Sequence, residues 1–108
     1  MDIQVKKGLL EYCVLAQLRR GESYGYQMIR DISPWINISE STLYPILKRL
    51  EAAHYVETRN VEHNNRIRRY FRLTEEGNTH LQNFIDERTE LIQVIDFITL
   101  GKEALPHE

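Results

Sequence analysis

Residues 39–51 read Ser39-Glu-Ser-Thr-Leu-Tyr-Pro-Ile-Leu-Lys-Arg-Leu-Glu51, and this stretch decides the fold. Its aliphatic side chains follow the i, i+3, i+4, i+7 spacing of one buried helix face: Leu43, Ile46, Leu47 and Leu50. Capping residues from Ser39 to Thr42 precede them. We predict a helix from this cluster to about Ala53. Pro45 is expected near the first turn, because a proline deeper in a helix costs roughly 3 kcal/mol.

The opposite face of this helix carries groups that suit a nucleic-acid ligand. Ser41 and Thr42 offer hydroxyls that can bind phosphate or a base edge. Tyr44 offers a ring and a donor, and Lys48 and Arg49 offer positive charge. A solvated helix face is the alternative interpretation.

The segment before this helix predicts two further helices. From about Val5 to Leu18 the apolar residues occupy more than one helical face, so this helix must be covered on two sides. Ser23 can cap a short helix from Tyr24 to Ile32. Trp35 either covers the core or marks a contact surface, and we favour the core.

A two-stranded hairpin is predicted next. Residues Tyr55 to Arg59 and Ile67 to Leu73 are rich in β-branched, aromatic and arginine residues, and the polar stretch 60–66 separates them. The hairpin therefore has a basic tip.

A long helix then follows, because Thr74 can cap it and Glu75 and Glu76 suit its first turn. At about 1.5 Å per residue, residues 74–99 would span roughly 39 Å, more than so small a domain covers alone. We therefore expect packing on a second subunit, with a purely intramolecular core as the alternative. The residues predicted at this dimer interface are Leu9, Leu10, Leu81, Phe84, Arg88, Leu91, Ile92, Ile95 and Ile98.

This order of elements predicts a fold that is mainly α with a small β-hairpin (α+β). It is the order of a winged helix-turn-helix with a long C-terminal dimerisation helix. We assign residues 1–73 to the winged helix-turn-helix domain, 74–100 to the dimerisation helix and 101–108 to a flexible tail.

The charge of the chain is polarised. The net charge is −2, but residues 55–73 hold five arginines against two glutamates, whereas residues 74–108 hold two cations against eight acids. Such a layout is typical of a protein with one face toward DNA.

Other classes find little support in the sequence. No segment approaches the roughly 18 apolar residues of a membrane span, and one cysteine suits a reducing cytoplasm. Cys13 is interpreted as inert packing, and the four histidines lack a spacing for zinc with it. We therefore expect no membrane association, metal, cofactor or enzymatic activity.

Three segments together resemble the PadR family of bacterial repressors: residues 39–51, Tyr24-Gly-Tyr26, and Arg68-Arg-Tyr-Phe-Arg-Leu-Thr-Glu-Glu-Gly77. The similarity covers roughly residues 5–100, and the length is similar to that of the short-tailed subgroup. The resemblance implies a cytoplasmic homodimer that represses transcription on a pseudo-palindromic DNA operator. It also implies release by a small aromatic effector near the dimer helices, where Phe84 and Phe97 are available, although core packing is the simpler role for both.

Pattern and resemblance together predict ten DNA-contacting residues: Tyr24, Ser41, Thr42, Tyr44, Pro45, Lys48, Arg49, Asn65, Arg66 and Arg68. The family wing usually has a glycine-rich tip, whereas Asn64-Asn65 stands here, and asparagine tolerates a left-handed turn. The rival hypothesis is a winged-helix protein-interaction module that does not bind DNA.

Overall fold

The computed structural model describes residues 1–101, which form four helices and three strands. In chain order the elements are α1 (Ile3–Arg20), β1 (Ser23–Tyr24), α2 (Gly25–Ile32), α3 (Glu40–Ala52), β2 (Val56–His63), β3 (Arg66–Leu73) and α4 (Glu75–Leu100).

The buried face of α3 confirms the sequence pattern. Its four aliphatic side chains are at most 2% exposed: Leu43, Ile46, Leu47 and Leu50. Pro45, however, lies inside the helix, where it is the sixth residue and not in the first turn. Pro45 and Ser41, the residue whose carbonyl it cannot bond, are both on the exposed side of the helix.

The core forms where α1 is covered on two sides. One side packs on α2, α3 and β3, and α4 packs on the other. The central side chains of α1 are buried: Leu10, Val14, Leu15 and Leu18. Cys13 packs against the edge of this core, and burial raises the pKa of its thiol, which agrees with a packing role.

The sheet has one strand more than predicted. β1 pairs antiparallel with β3 through Ser23–Phe71 and Tyr24–Tyr70, which gives the order β1-β3-β2. Tyr24 is therefore the N-cap of α2 and not its first residue. A segment of two residues is too short to show the alternating pattern of a strand in the sequence. These residues form a strand because they pair with β3.

The hairpin, which we call the wing, is longer than the sequence indicated. Most of the polar stretch assigned to a loop is paired strand, in register from Val56–Leu73 to His63–Arg66. Only Asn64 and Asn65 form the turn, with φ values of 52° and 64°. Such left-handed two-residue turns match the twist of a hairpin, and asparagine adopts them at low cost.

The first turns of α4 are fixed to the rest of the molecule. Thr74 caps the helix as predicted, because its hydroxyl accepts a hydrogen bond from the Gly77 N–H at 3.0 Å. The same hydroxyl donates to the His54 carbonyl at 2.7 Å. The Arg19 side chain donates to Asn78 Oδ1 at 2.8 Å and to Gln82 Oε1 at 3.1 Å, so α1 and α4 are joined along this segment.

Beyond Ile85, α4 extends into solvent. Apolar side chains there remain 40–73% exposed: Leu91, Ile92, Val94, Ile95, Phe97, Ile98 and Leu100. Gly101 is the C-cap of the helix, and the rest of the tail expected at 101–108 lies outside the described residues.

Trp35 corrects the sequence interpretation. Its side chain is 87% exposed and does not join the core. The chain turns at residues 33–36 after α2, and the neighbouring Ile32 and Ile38 join the core.

Candidate nucleic-acid interface

The outer face of α3 presents the predicted polar residues. Ser41, Tyr44, Pro45, Lys48 and Arg49 are exposed, and Thr42 is half-buried. Three hydroxyls cluster at the start of the helix, where Ser39 Oγ lies 3.0 Å from Ser41 Oγ and 3.2 Å from Thr42 Oγ1. The Arg49 guanidinium lies 3.6 Å from a Glu11 carboxylate oxygen on α1, so part of its charge is compensated within the chain.

Ion pairing separates the five arginines of the hairpin into two groups. Three are bound to carboxylates of the same chain: Arg59 to Glu22, Arg69 to Glu51 and Arg72 to Glu57. The hydrogen bond from Arg59 lowers the pKa of Glu22. Within residues 1–101, Arg66 and Arg68 take part in no ion pair. The two arginines nearest the tip are therefore the hairpin arginines whose charge no carboxylate of the described residues compensates.

Arg68 and Tyr24 are held together across the sheet. The Arg68 guanidinium lies 4.0 Å from the centroid of the Tyr24 ring, and that ring meets Tyr70 edge to face at 5.4 Å. Cation–π contact restrains the arginine without neutralising it. Tyr24 thus orients the charged group of Arg68.

An open groove of about 950 Å³ runs between α2, α3 and the wing. Its lining brings together Tyr24, Tyr44, Arg66 and Arg68, all named from the sequence. Within the described residues the lining contains no Asp or Glu. The groove is therefore basic although the whole chain is slightly acidic.

The groove also contains residues that were not predicted from the sequence, among them two exposed residues of α2. Tyr26 and Arg30 are exposed on one face of α2, four residues apart, and both line the groove. The i, i+4 spacing could have shown that they share a face, but nothing in the sequence placed that face opposite the wing.

Several predicted residues lie outside the groove lining. Asn65 forms the wing turn beside the groove residue Asn64, and the others continue along α3: Ser41, Thr42, Pro45, Lys48 and Arg49. These groups flank the groove on α3 and at the wing tip.

The predicted dimer residues divide by burial. Leu10 and Leu81 are 1% and 2% exposed within one chain, so they are core residues and leave almost no surface for a partner. Leu9 is half-buried, and Phe84 stacks on Tyr12 with ring centroids 3.8 Å apart. Arg88 and the four predicted residues from Leu91 to Ile98 are exposed.

Within residues 1–101, no three His, Cys, Asp or Glu side chains lie close enough together to hold a metal ion. Among the same residues, no helix has both the length and the apolar character needed to cross a bilayer.

Three antiparallel strands, a helix with one buried face and a basic groove beside it define a winged helix-turn-helix protein. A sequence profile of the transcriptional regulator PadR-like family matches residues 14–83. The chain belongs to this PadR-like family of transcriptional regulators, as the sequence resemblance predicted.

Solved structures agree with this assignment. A Streptococcus mutans protein is 41% identical, with a TM-score of 0.77 over 93% of this chain and 92% of its own. A PadR-like transcription factor from Bacteroides fragilis is 30% identical, with a TM-score of 0.80 over 88% of this chain and 94% of its own. Bacillus subtilis PadR, solved in complex with operator DNA, shares the fold at 24% identity and a TM-score of 0.68, over 71% of this chain and 46% of its own.

Proposed function

We propose that this chain is a cytoplasmic, sequence-specific DNA-binding repressor that acts as a homodimer on a pseudo-palindromic operator. The observation that carries the proposal is the groove between α2, α3 and the wing. It is lined by four arginines, of which Arg69 is ion-paired to Glu51, and by no carboxylate of the described residues. DNA presents closely spaced phosphates, and cations that face them supply most of the non-specific affinity.

Recognition would be divided between α3 and the wing. Helix α3 would enter the major groove with its exposed face, where Tyr44 and Lys48 reach base edges or groove walls. Arg66 and Arg68 would lie against the flanking backbone. Family membership and the operator complex of Bacillus subtilis PadR, which has the same fold, support this arrangement.

A second copy of the chain would cover the end of α4. Seven of the residues from 91 to 100 are large, apolar and exposed, and they occupy nearly the whole helix circumference. A helix that is apolar all round is normally buried. Ile3 and Val5 of α1 are also exposed, and because α1 runs antiparallel to α4 they lie toward the same end.

Two such copies would place their recognition helices about 34 Å apart, in successive major grooves of one duplex face. Occupying a promoter in this way blocks transcription. A small aromatic effector between the dimer helices would release the DNA only to the extent that it prefers the non-binding arrangement. Phe97 is the exposed ring for such a contact, since Phe84 is already stacked on Tyr12.

Replacing Tyr44 and Lys48 together by alanine is expected to weaken binding to a selected duplex by at least about tenfold, since each lost contact costs about 1–3 kcal/mol. Both side chains are exposed, so the thermal midpoint should stay close to that of the wild type. Fluorescence anisotropy on a duplex selected by the wild type from a random library measures the effect.

Lys7→Ala is the matched control, because Lys7 is an exposed helical lysine on α1. It should bind as the wild type does. If the double variant retains full affinity, the outer face of α3 does not read DNA. If the wild type selects no duplex at all, the protein-interaction module becomes the better account.

A further inference from the structure

Gly25 lies where the tip of the Tyr44 side chain meets α2. It is the first residue of that helix and is buried. A Cβ atom built on Gly25 would lie 2.7 Å from the Tyr44 hydroxyl oxygen, 3.1 Å from Cζ and 3.3 Å from Cε1. Real Cβ atoms essentially never approach another heavy atom as closely as the first of these distances. The ring therefore occupies the space that a side chain at residue 25 would fill.

The backbone does not require glycine at this position. Within residues 1–101 the glycines with positive φ are Gly21 and Gly101, so Gly25 has a conformation open to alanine. Alanine is also the better helix former. The conflict with Tyr44 is thus the steric reason that the structure offers for glycine at residue 25.

We infer that Gly25 is a positioning residue. Because it has no side chain, it leaves room for the Tyr44 ring and so holds that ring at the edge of the basic groove. Tyr44 is 50% exposed, so without the contact with Gly25 its ring would be free to take other rotamers. A side chain already held in its binding position loses less conformational entropy when a ligand binds. The inference rests on the proposed function, in which Tyr44 contacts DNA.

A methyl group at residue 25 would collide with the outer end of the Tyr44 side chain. Rotation of that side chain is the easiest way to remove the collision. Gly25→Ala should therefore leave the fold intact and displace Tyr44. Gly8→Ala is the matched control, since Gly8 is also a helical glycine and a Cβ there would meet nothing within 4 Å.

The test is a double-mutant cycle on the duplex selected by the wild type. Gly25→Ala is expected to weaken binding roughly tenfold, which lies within the coupling observed between residues in contact. Gly8→Ala is expected to leave binding unchanged. Gly25→Ala combined with Tyr44→Ala should bind no more weakly than Tyr44→Ala alone. A residue that supported only the fold would instead lower affinity in both backgrounds.

Thermal midpoints are measured for the same four proteins. Because the ring can rotate away, Gly25→Ala should lower the midpoint only slightly when Tyr44 is present and not at all in the Tyr44→Ala background. Equal destabilisation in both backgrounds, or wild-type affinity in Gly25→Ala, overturns the inference and leaves the proposed function in place. Wild-type affinity in Tyr44→Ala overturns the DNA contact itself, and the role of Gly25 with it.

Discussion

Replacing Leu91 and Ile98 by glutamate is expected to separate the proposed dimer into monomers and to weaken operator binding by roughly 10²–10⁴-fold. The two residues are 58% and 73% exposed and lie seven positions apart on one face of α4. Carboxylates buried at this interface would lose their hydration. Each head would then bind its half-site alone, without the effective concentration that linkage provides. Analytical ultracentrifugation gives the mass, and anisotropy gives the affinity.

The control places the same two charges on the same helix at exposed polar positions before the apolar segment, as Thr79→Glu with Asn83→Glu. This protein should stay dimeric and bind with nearly unchanged affinity. A dimer that survives Leu91→Glu with Ile98→Glu would show that the subunits meet elsewhere.

Gly77→Ala is expected to destabilise the fold by roughly 3 kcal/mol, at the upper end of what overpacking costs. A Cβ atom at Gly77 would lie 2.1 Å from the Tyr55 carbonyl oxygen and 2.8 Å from Leu73 Cδ1. That carbonyl is backbone and also accepts the Thr74 N–H at 3.1 Å, so it cannot move without breaking the start of α4.

The thermal midpoint should fall by roughly 10–20 °C in a domain of this size. Gly8→Ala serves again as the control, and its better helix propensity, up to about 1 kcal/mol, should raise the midpoint or leave it unchanged. A midpoint for Gly77→Ala at or above that of the wild type would mean that α4 does not approach the hairpin base this closely.

Much of the fold could be predicted from local sequence patterns. The spacing of the α3 aliphatics identified its buried face, because a helix repeats every 3.6 residues whatever surrounds it. Thr74 with two glutamates marked the start of α4 for an equally local reason, since the capping hydroxyl bonds an amide three residues away. The wing turn at Asn64-Asn65 is also a local feature, because asparagine itself tolerates the left-handed backbone of such a turn.

The features that were missed depend on distant neighbours. β1 exists because Ser23 and Tyr24 meet β3, and the polar residues of β2 are strand because β3 pairs with them. Trp35 has an apolar side chain that normally favours burial, yet the bend after α2 leaves it in solvent. Burial of Leu10 and Leu81 within one chain likewise depends on how α1 and α4 pack.

The candidate site was predictable in its residue types and less so in its geometry. Tyr24, Tyr44, Arg66 and Arg68 were named from the sequence and line one groove. That Arg59, Arg69 and Arg72 are paired with glutamates could not be foreseen, because their partners lie 15 to 37 residues away in the chain. Close approaches such as Gly25 to Tyr44 have no sequence signal of their own.

The most direct test of the basic groove compares two double variants of the wing across a salt series. Arg66→Ala with Arg68→Ala removes the unpaired cations, and Arg59→Ala with Arg72→Ala removes equal charge from residues that are ion-paired. The slope of log affinity against log salt should become shallower by about 1.8 in the first variant, at about 0.9 per phosphate contact. It should stay near the wild-type value in the second. Equal slopes in the two variants, or a wild type that ignores duplex DNA in dilute salt, would contradict the account.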